Sequence, residues 1–388
     1  MFASCLGIAH ATITVGTCKS EKNPYLTISS AITASPVNGL IQICPGTYPE
    51  SIVITKPLTL TGLTLAGQQG VTITGPVTGL LPINGSQFFQ VYVNNAAGPV
   101  NLYNISVLGG PLLIHGQITP IASLAYPSGD IAGIVYQNSA GRIDNVNVSG
   151  EWSPAHVVSL ISGGSQPDPH QPAFDVLRGN GIGILLLNTP NIEVTVSNST
   201  VIGAGYEGIA STGKLYAFRD IVSVSNPEAI GITTTSGSAD FNTVESLIPL
   251  IDQNQTWFTT GISGGDSVSG NVVQGFTFGI IGASKVDSNN LINNAIGIIG
   301  ITGNSVTDNM ISSYPTFLDS YLQLGCAANL ASCTYPTVGI DLNCSDPSPV
   351  KNNRIVSAGF GVVNVTNGST LPGSNAITGV KTATLSCQ

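Results

Sequence analysis

A glycine followed by an aliphatic residue recurs through the second half of this chain. The pairs are Gly181-Ile182, Gly208-Ile209, Gly231-Ile232, Gly261-Ile262, Gly279-Ile280, Gly297-Ile298, Gly339-Ile340, Gly361-Val362 and Gly379-Val380. Successive gaps are 27, 23, 30, 18, 18, 42, 22 and 18 residues. Asn271, Asn289 and Asn353 each stand eight residues before one of these glycines, and Asn309 belongs to the same series. A unit this short, with punctuation this dense, leaves no room for a helix-period stretch. Three strands of about four or five residues with short turns fill it. Stacked coils of that kind hand each backbone hydrogen bond to the next coil and run inward Ile, Val and Leu into one column. Asn suits the turns because it tolerates the left-handed conformation, and stacked Asn side chains can hydrogen-bond along the column.

This pattern resembles the right-handed parallel β-helix of the pectate-lyase-like (pectin lyase fold) superfamily. The resemblance implies an all-β solenoid over residues 12–388, read as one domain. An open solenoid end exposes unpaired strands and core, and "NPYLTISSAITASP" from Asn23 reads as a short amphipathic capping helix. Asn23 is the expected N-cap, Pro24 the first helical residue, and Tyr25, Ile28, Ala31 and Ile32 the apolar face. "GTYPE", Gly46 to Glu50, follows it. Its Gly-x-Tyr-x-Glu spacing resembles a signature of pectin methylesterases. Its position, leading into "SIVITKPLTLTG", reads as the entry to the first strands, with Tyr48 covering the core edge.

Charged residues make up 8% of the chain and the net charge is −9, with 11 Lys and Arg dispersed along it. A chain without a basic stripe is not built for nucleic acid. Polyanionic glycans would need a local basic pocket or bound Ca²⁺ to offset the acidity, whereas neutral glycans would not. No apolar run is long enough to span a membrane as a helix. Residues 1–11 read as the remnant of a signal peptide, with Ala9-His10-Ala11 as the small-x-small site, although a Lys or Arg n-region is missing. Removing them deletes Cys5 and leaves Cys18, Cys44, Cys326, Cys333, Cys344 and Cys387, an even set suited to an oxidised, secreted protein. Cys18–Cys44 would staple the N-terminal unit. The pairing of the other four is open.

Two segments break the rhythm, near 149–179 and 312–336. The first holds Trp152, Asp168, His170, Asp175 and Arg178, a concentration of charge unusual here. Insertions on a solenoid often build the binding face. The second carries Cys326 and Cys333, which would make it a disulfide-pinned excursion. Between them, "GYEGIASTGKLYAFRD" supplies Tyr206, Glu207, Lys214, Tyr216, Arg219 and Asp220. These are expected on two adjacent coils, where several would meet on one surface. Glycoside hydrolysis needs two carboxyl groups about 5–9 Å apart, and stacked coils would offer Asp175 with Glu207, or Glu207 with Asp220. Elimination from a uronic acid would instead use a base such as Lys214, Arg178 or Arg219, with His170 a further acid–base group. Trp152, Tyr206 and Tyr216 would stack on sugar rings, and Lys214 and Arg219 would bind substrate. Surface ion pairing is the plain alternative for the charged members.

The motifs of individual pectin-active families are incomplete. "NVVQGFTFGIIG" has Gln274 without the Asp of the esterase motif, and no Arg-Pro-Trp occurs. The Asn-x-Asp and Gly-His-Gly motifs of polygalacturonases are missing, and "PDPH" at 167–170 lacks the context of a lyase site. Asp266, Asp287 and Asp308 recur about one coil apart and would be the ligands if Ca²⁺ binds. Isolated turn aspartates are the plainer reading of them. The expected function is therefore a secreted β-helix protein acting on or binding extracellular polysaccharide, as a glycoside hydrolase or polysaccharide lyase if it is an enzyme. The alternative is a non-catalytic adhesion or structural β-helix.

Overall fold

The computed structural model describes residues 12–20, 24–76, 81–84, 87–109, 113–114, 117–118, 130–149, 181–225, 229–247, 259–300, 305–313, 337–342, 349–356, 360–365, 374–380 and 382–386. The chain winds as a right-handed parallel β-helix with three strand ribbons per coil. One coil runs from Ile182–Leu187 on the first ribbon to Glu193–Ser197 on the second and Thr200–Ala204 on the third. In the next coil the first two ribbons are one bent strand, Glu207–Phe218, whose pairing shifts register between Ser211 and Lys214. The third ribbons stack as a 12-stranded sheet, and the first and second ribbons join as a 23-stranded one.

The Gly–aliphatic repeat is the register of the first ribbon. Val91, Ile134, Ile184, Ile209, Ile232, Ile262, Ile280, Ile298, Ile340 and Val362 stack in line, each fully buried. Full burial of such a side chain contributes about 1.5–3 kcal/mol. From Ile184 to Ile340 the residue before each is a glycine, and packing requires it. A Cβ on Gly208 would lie 2.2 Å from Val222 Cγ1 and 2.5 Å from Gly231 O, and on Gly231 2.2 Å from Val244 Cγ1 and 2.6 Å from Gly261 O. The third ribbon therefore packs directly on the backbone of the first. Two of the nine pairs fall out of step. Ile184 holds the stacked position, so its partner is Gly183 rather than Gly181. Gly379 lies beyond the third-ribbon strand Ala376–Thr378, outside the column.

The turn from second to third ribbon is tight. Its first residue is left-handed, from Asn104 (φ 55°) through Asn145 and Asn198 to Asn352 (φ 57°). Its second residue turns inward. Asn242 N donates to Asn271 Oδ1 at 2.8 Å, and Asn271 N to Asn289, Asn289 N to Asn309, Asn309 N to Asn353 and Asn353 N to Asn375 at 2.9 Å. Each Nδ2 also donates to the next Oδ1 and to a carbonyl of the preceding coil, as Asn242 does to Ala217 O. These buried amides thus meet the partners that burial demands.

The capping helix α1 spans Ile28–Ala34, later than the sequence pattern suggests. Its N-cap is Thr27, whose hydroxyl accepts from Ser30 N at 3.2 Å, so Asn23 and Pro24 do not start it. Ile28, Ala31 and Ile32 are its buried face and Tyr25 packs partly buried beside them. Glu50 holds the helix start, its carboxylate accepting from Ile28 N at 2.7 Å and Ser29 N at 2.9 Å. Tyr48 is buried, and its hydroxyl donates to Cys44 O at 2.7 Å. Cys18 and Cys44 form a disulfide. Cys326, Cys333, Cys344 and Cys387 lie outside the described residues, as do residues 1–11.

Candidate functional site

Tyr206 to Asp220 belong to one coil, not two, and the winding distributes them around it. Glu207 opens the first ribbon, Lys214 and Tyr216 lie on the second, and Arg219 and Asp220 form the turn to the third. Glu207 and Lys214 are separated by seven residues, roughly 20 Å of extended chain. The expected meeting of Glu207 with Asp220 does not occur. Asp220 points inward and is 1% exposed, so it is not a surface acid–base group.

Asp220 takes the place of an asparagine in the buried turn column. Ser199 N donates to its Oδ1 at 2.8 Å and Phe218 N to its Oδ2 at 3.1 Å, while its own N–H donates to Asn242 Oδ1 at 2.8 Å. Burial pushes its carboxyl up to about 7 against these two backbone hydrogen bonds, and the Asp144 charge adds to the rise.

Glu207 pairs in register with Ile182 and Ile230. Ile182 packs with Phe89, Tyr92, Val135, Leu185 and Ala210 in a cluster separate from the main core. Glu207 thus stands where an apolar strip on the first ribbon gives way to Thr233 and Ser263. Partial burial raises its carboxyl above its ordinary value, opposed by a hydrogen bond from Thr233 Oγ1 at 3.3 Å. The neighbouring Tyr206 is 42% exposed. A carboxyl group whose pKa is raised by burial has the character of a general acid.

Two ion pairs lie on the second ribbon. Lys214 Nζ lies 3.6 Å from Glu193 Oε2 and 5.0 Å from the centroid of the Tyr216 ring. Arg142 Nη2 lies 3.4 Å from Asp144 Oδ2, and Asp144 Oδ1 accepts from Ser197 Oγ at 2.9 Å and Asn198 Nδ2 at 2.8 Å. Burial opposes ionisation of Asp144, but hydrogen bonds from Asn198 and Ser197, together with Arg142, hold it below its ordinary value. Arg219 stacks on Phe218, with Cζ 4.8 Å from the ring centroid.

Trp152, Asp168, His170, Asp175 and Arg178 lie outside the described residues, as do 314–336 of the second insertion, whose first residues close the strand Met310–Ser313. Asp266, Asp287 and Asp308 occupy three different positions of their coils. Asp266 accepts from Gly237 N at 2.9 Å, Asp287 accepts from Thr307 Oγ1 at 2.6 Å, and Asp308 is a left-handed turn residue. Among the described residues, no three His, Cys, Asp or Glu gather as a metal site.

No protein-family model matches the chain, and no curated protein does. Among solved structures it is similar to pectate lyase Pel9A, at 13% identity over 97% of this chain and 82% of that one, with a TM-score of 0.43. It is also similar to the pectin methylesterase of Aspergillus niger, at 14% identity over 72% and 85% of the two chains, with a TM-score of 0.41. The A-module of a mannuronan C-5 epimerase of Azotobacter vinelandii follows at 12% identity over 92% and 93%, with a TM-score of 0.34.

Proposed function

We propose that this chain is a secreted β-helix protein that binds extracellular polysaccharide along its ribbon faces and acts on it through Glu207. The observation that carries this reading is the Glu207 carboxyl, raised by burial at the start of the first ribbon, with the exposed Tyr206 next to it in the chain. Glu207 donates a proton to the glycosidic oxygen as its bond to the anomeric carbon breaks, water adds at that carbon and gives up a proton, and Tyr206 supports the sugar ring. The disulfide Cys18–Cys44 suits an oxidising compartment. Incubation with a panel of neutral and uronic polysaccharides, followed by assays for reducing ends and for the absorbance of unsaturated products, tests it. Product from at least one polymer is expected.

A non-catalytic adhesion role is the second reading. The pairing of Lys214 with Glu193 and of Arg142 with Asp144 favours it, since these two bases are already engaged by carboxylates. Glycan retention without product across the panel would select it.

A further inference from the structure

The left-handed position of the turn from second to third ribbon forms a continuous row. Its occupants are Asn104, Asn145, Asn198, Arg219, Phe241, Gly270, Ser288, Asp308 and Asn352, with φ between 49° and 67°. Each N–H donates to the next coil, as Arg219 N does to Asp240 O and Phe241 N to Ser269 O. Small polar residues and glycine suit this conformation, whereas a bulky side chain there is a genuine outlier with a backbone cost. Arg219 and Phe241, on adjacent coils, are the two departures among the described residues.

Neither departure is explained by burial. Phe241 is 59% exposed. Its ring meets Phe218 edge-on at 5.8 Å between centroids, and the Phe218 ring carries the Arg219 guanidinium. The next coil makes room for it, since a Cβ on Gly270 would lie 2.7 Å from Phe241 Cδ1. Among the described residues the Arg219 guanidinium makes no hydrogen bond or ion pair, so its N–H donors face outward unused.

We infer that Phe241, Phe218 and Arg219 form a sugar-binding platform on the outer turn edge, taking one pyranose unit of a polysaccharide. The C–H face of the pyranose lies on the exposed Phe241 ring, drawn by its negative π face. Arg219 donates hydrogen bonds to hydroxyl, ring or carboxylate oxygens. Two rings and a guanidinium are far too small for a protein partner, whose stable interface buries about 1,000 Å² or more. The inference rests on the polysaccharide reading above, but it places a binding site at a different edge of the coil from Glu207.

The test is affinity electrophoresis of the full chain through gels holding neutral or uronic polysaccharides, with thermal unfolding run in parallel. Phe241→Asn restores the row's usual residue. It is expected to weaken retention about tenfold while leaving the melting temperature equal or higher. Phe241→Leu, which keeps bulk without the ring, should also lose retention, and Arg219→Asn should weaken retention further on uronic than on neutral gels. Equal retention of wild type and Phe241→Asn overturns the platform and leaves the polysaccharide reading standing. A markedly lower melting temperature for Phe241→Asn overturns it too, because the ring would then serve packing. Absence of wild-type retention on every gel overturns the polysaccharide reading itself.

Discussion

Ser199 N donates to Asp220 Oδ1 at 2.8 Å, placing a carboxylate between Ser199 and the asparagines that continue the buried column. An asparagine amide in this column gives its Nδ2 protons to a carbonyl of the preceding coil, and ionised Asp220 has none to give. Its carboxyl is raised from 3.8 to about 7, so between those values the folded chain holds a proton that the unfolded chain releases. Stability therefore falls as pH rises from about 4 through about 7. Asp220→Asn should remove that slope and raise stability at neutral pH, with its new Nδ2 reaching Val196 O, which pairs in register with Ala217. Chemical denaturation at a series of pH values checks this. An unchanged slope would mean that Asp220 is not its source.

The glycine column makes a contrasting pair of substitutions. Gly231→Ala puts a methyl group 2.2 Å from Val244 Cγ1 and 2.6 Å from a backbone oxygen, and the backbone cannot give way without parting two ribbons. A loss of about 1–3 kcal/mol or more is expected. Gly70→Ala meets nothing within 4 Å and should be close to neutral. Thermal unfolding of the two variants separates them.

The N-terminal cap has two fastenings that can be removed separately. Glu50→Ala deletes the acceptor of Ile28 N and Ser29 N, and a loss of about 1–2 kcal/mol is expected. Reducing Cys18–Cys44, which closes a separation of 26 residues, is expected to cost about 3 kcal/mol. Solenoid ends open locally, so hydrogen exchange should show faster exchange over 28–34 before the rest of the chain responds.

Much of this architecture is legible in the sequence because stacked coils repeat their chemistry at fixed intervals. Gly208, Gly231, Gly261, Gly279 and Gly297 announce the first ribbon, and Asn271, Asn289 and Asn353 announce the turn from second to third ribbon. Within "GNGIGILLL" the spacing alone does not choose between Gly181 and Gly183, since either is followed by Ile; register with Ile209 decides it. The start of the helix was hidden for a related reason. Asn23 and Thr27 are both able to cap, and only the Glu50 carboxylate, distant in sequence, fixes the helix at Ile28.

The candidate site is less legible. Residues adjacent in sequence, Arg219 and Asp220, point to opposite sides of the wall because one is the left-handed turn residue and the other turns inward. Lone carboxylates also look alike in a sequence. Asp144 is held low by Asn198, Ser197 and Arg142, while Glu207 is raised by burial, and both environments come from neighbouring coils. One signal for Phe241 was available, a bulky residue in the position that other coils give to Asn, Gly, Ser or Asp.

The central claim is that Glu207 performs acid chemistry on a polysaccharide. The most direct measurement is product release from a responsive polymer as a function of pH, for wild type and Glu207→Gln. Wild-type rate should fall as pH rises through the elevated Glu207 pKa, and Glu207→Gln should lose about 100-fold or more at the optimum. Glycan retention should persist in the variant. Equal rates for wild type and Glu207→Gln, or retention with no product from either, would contradict the claim.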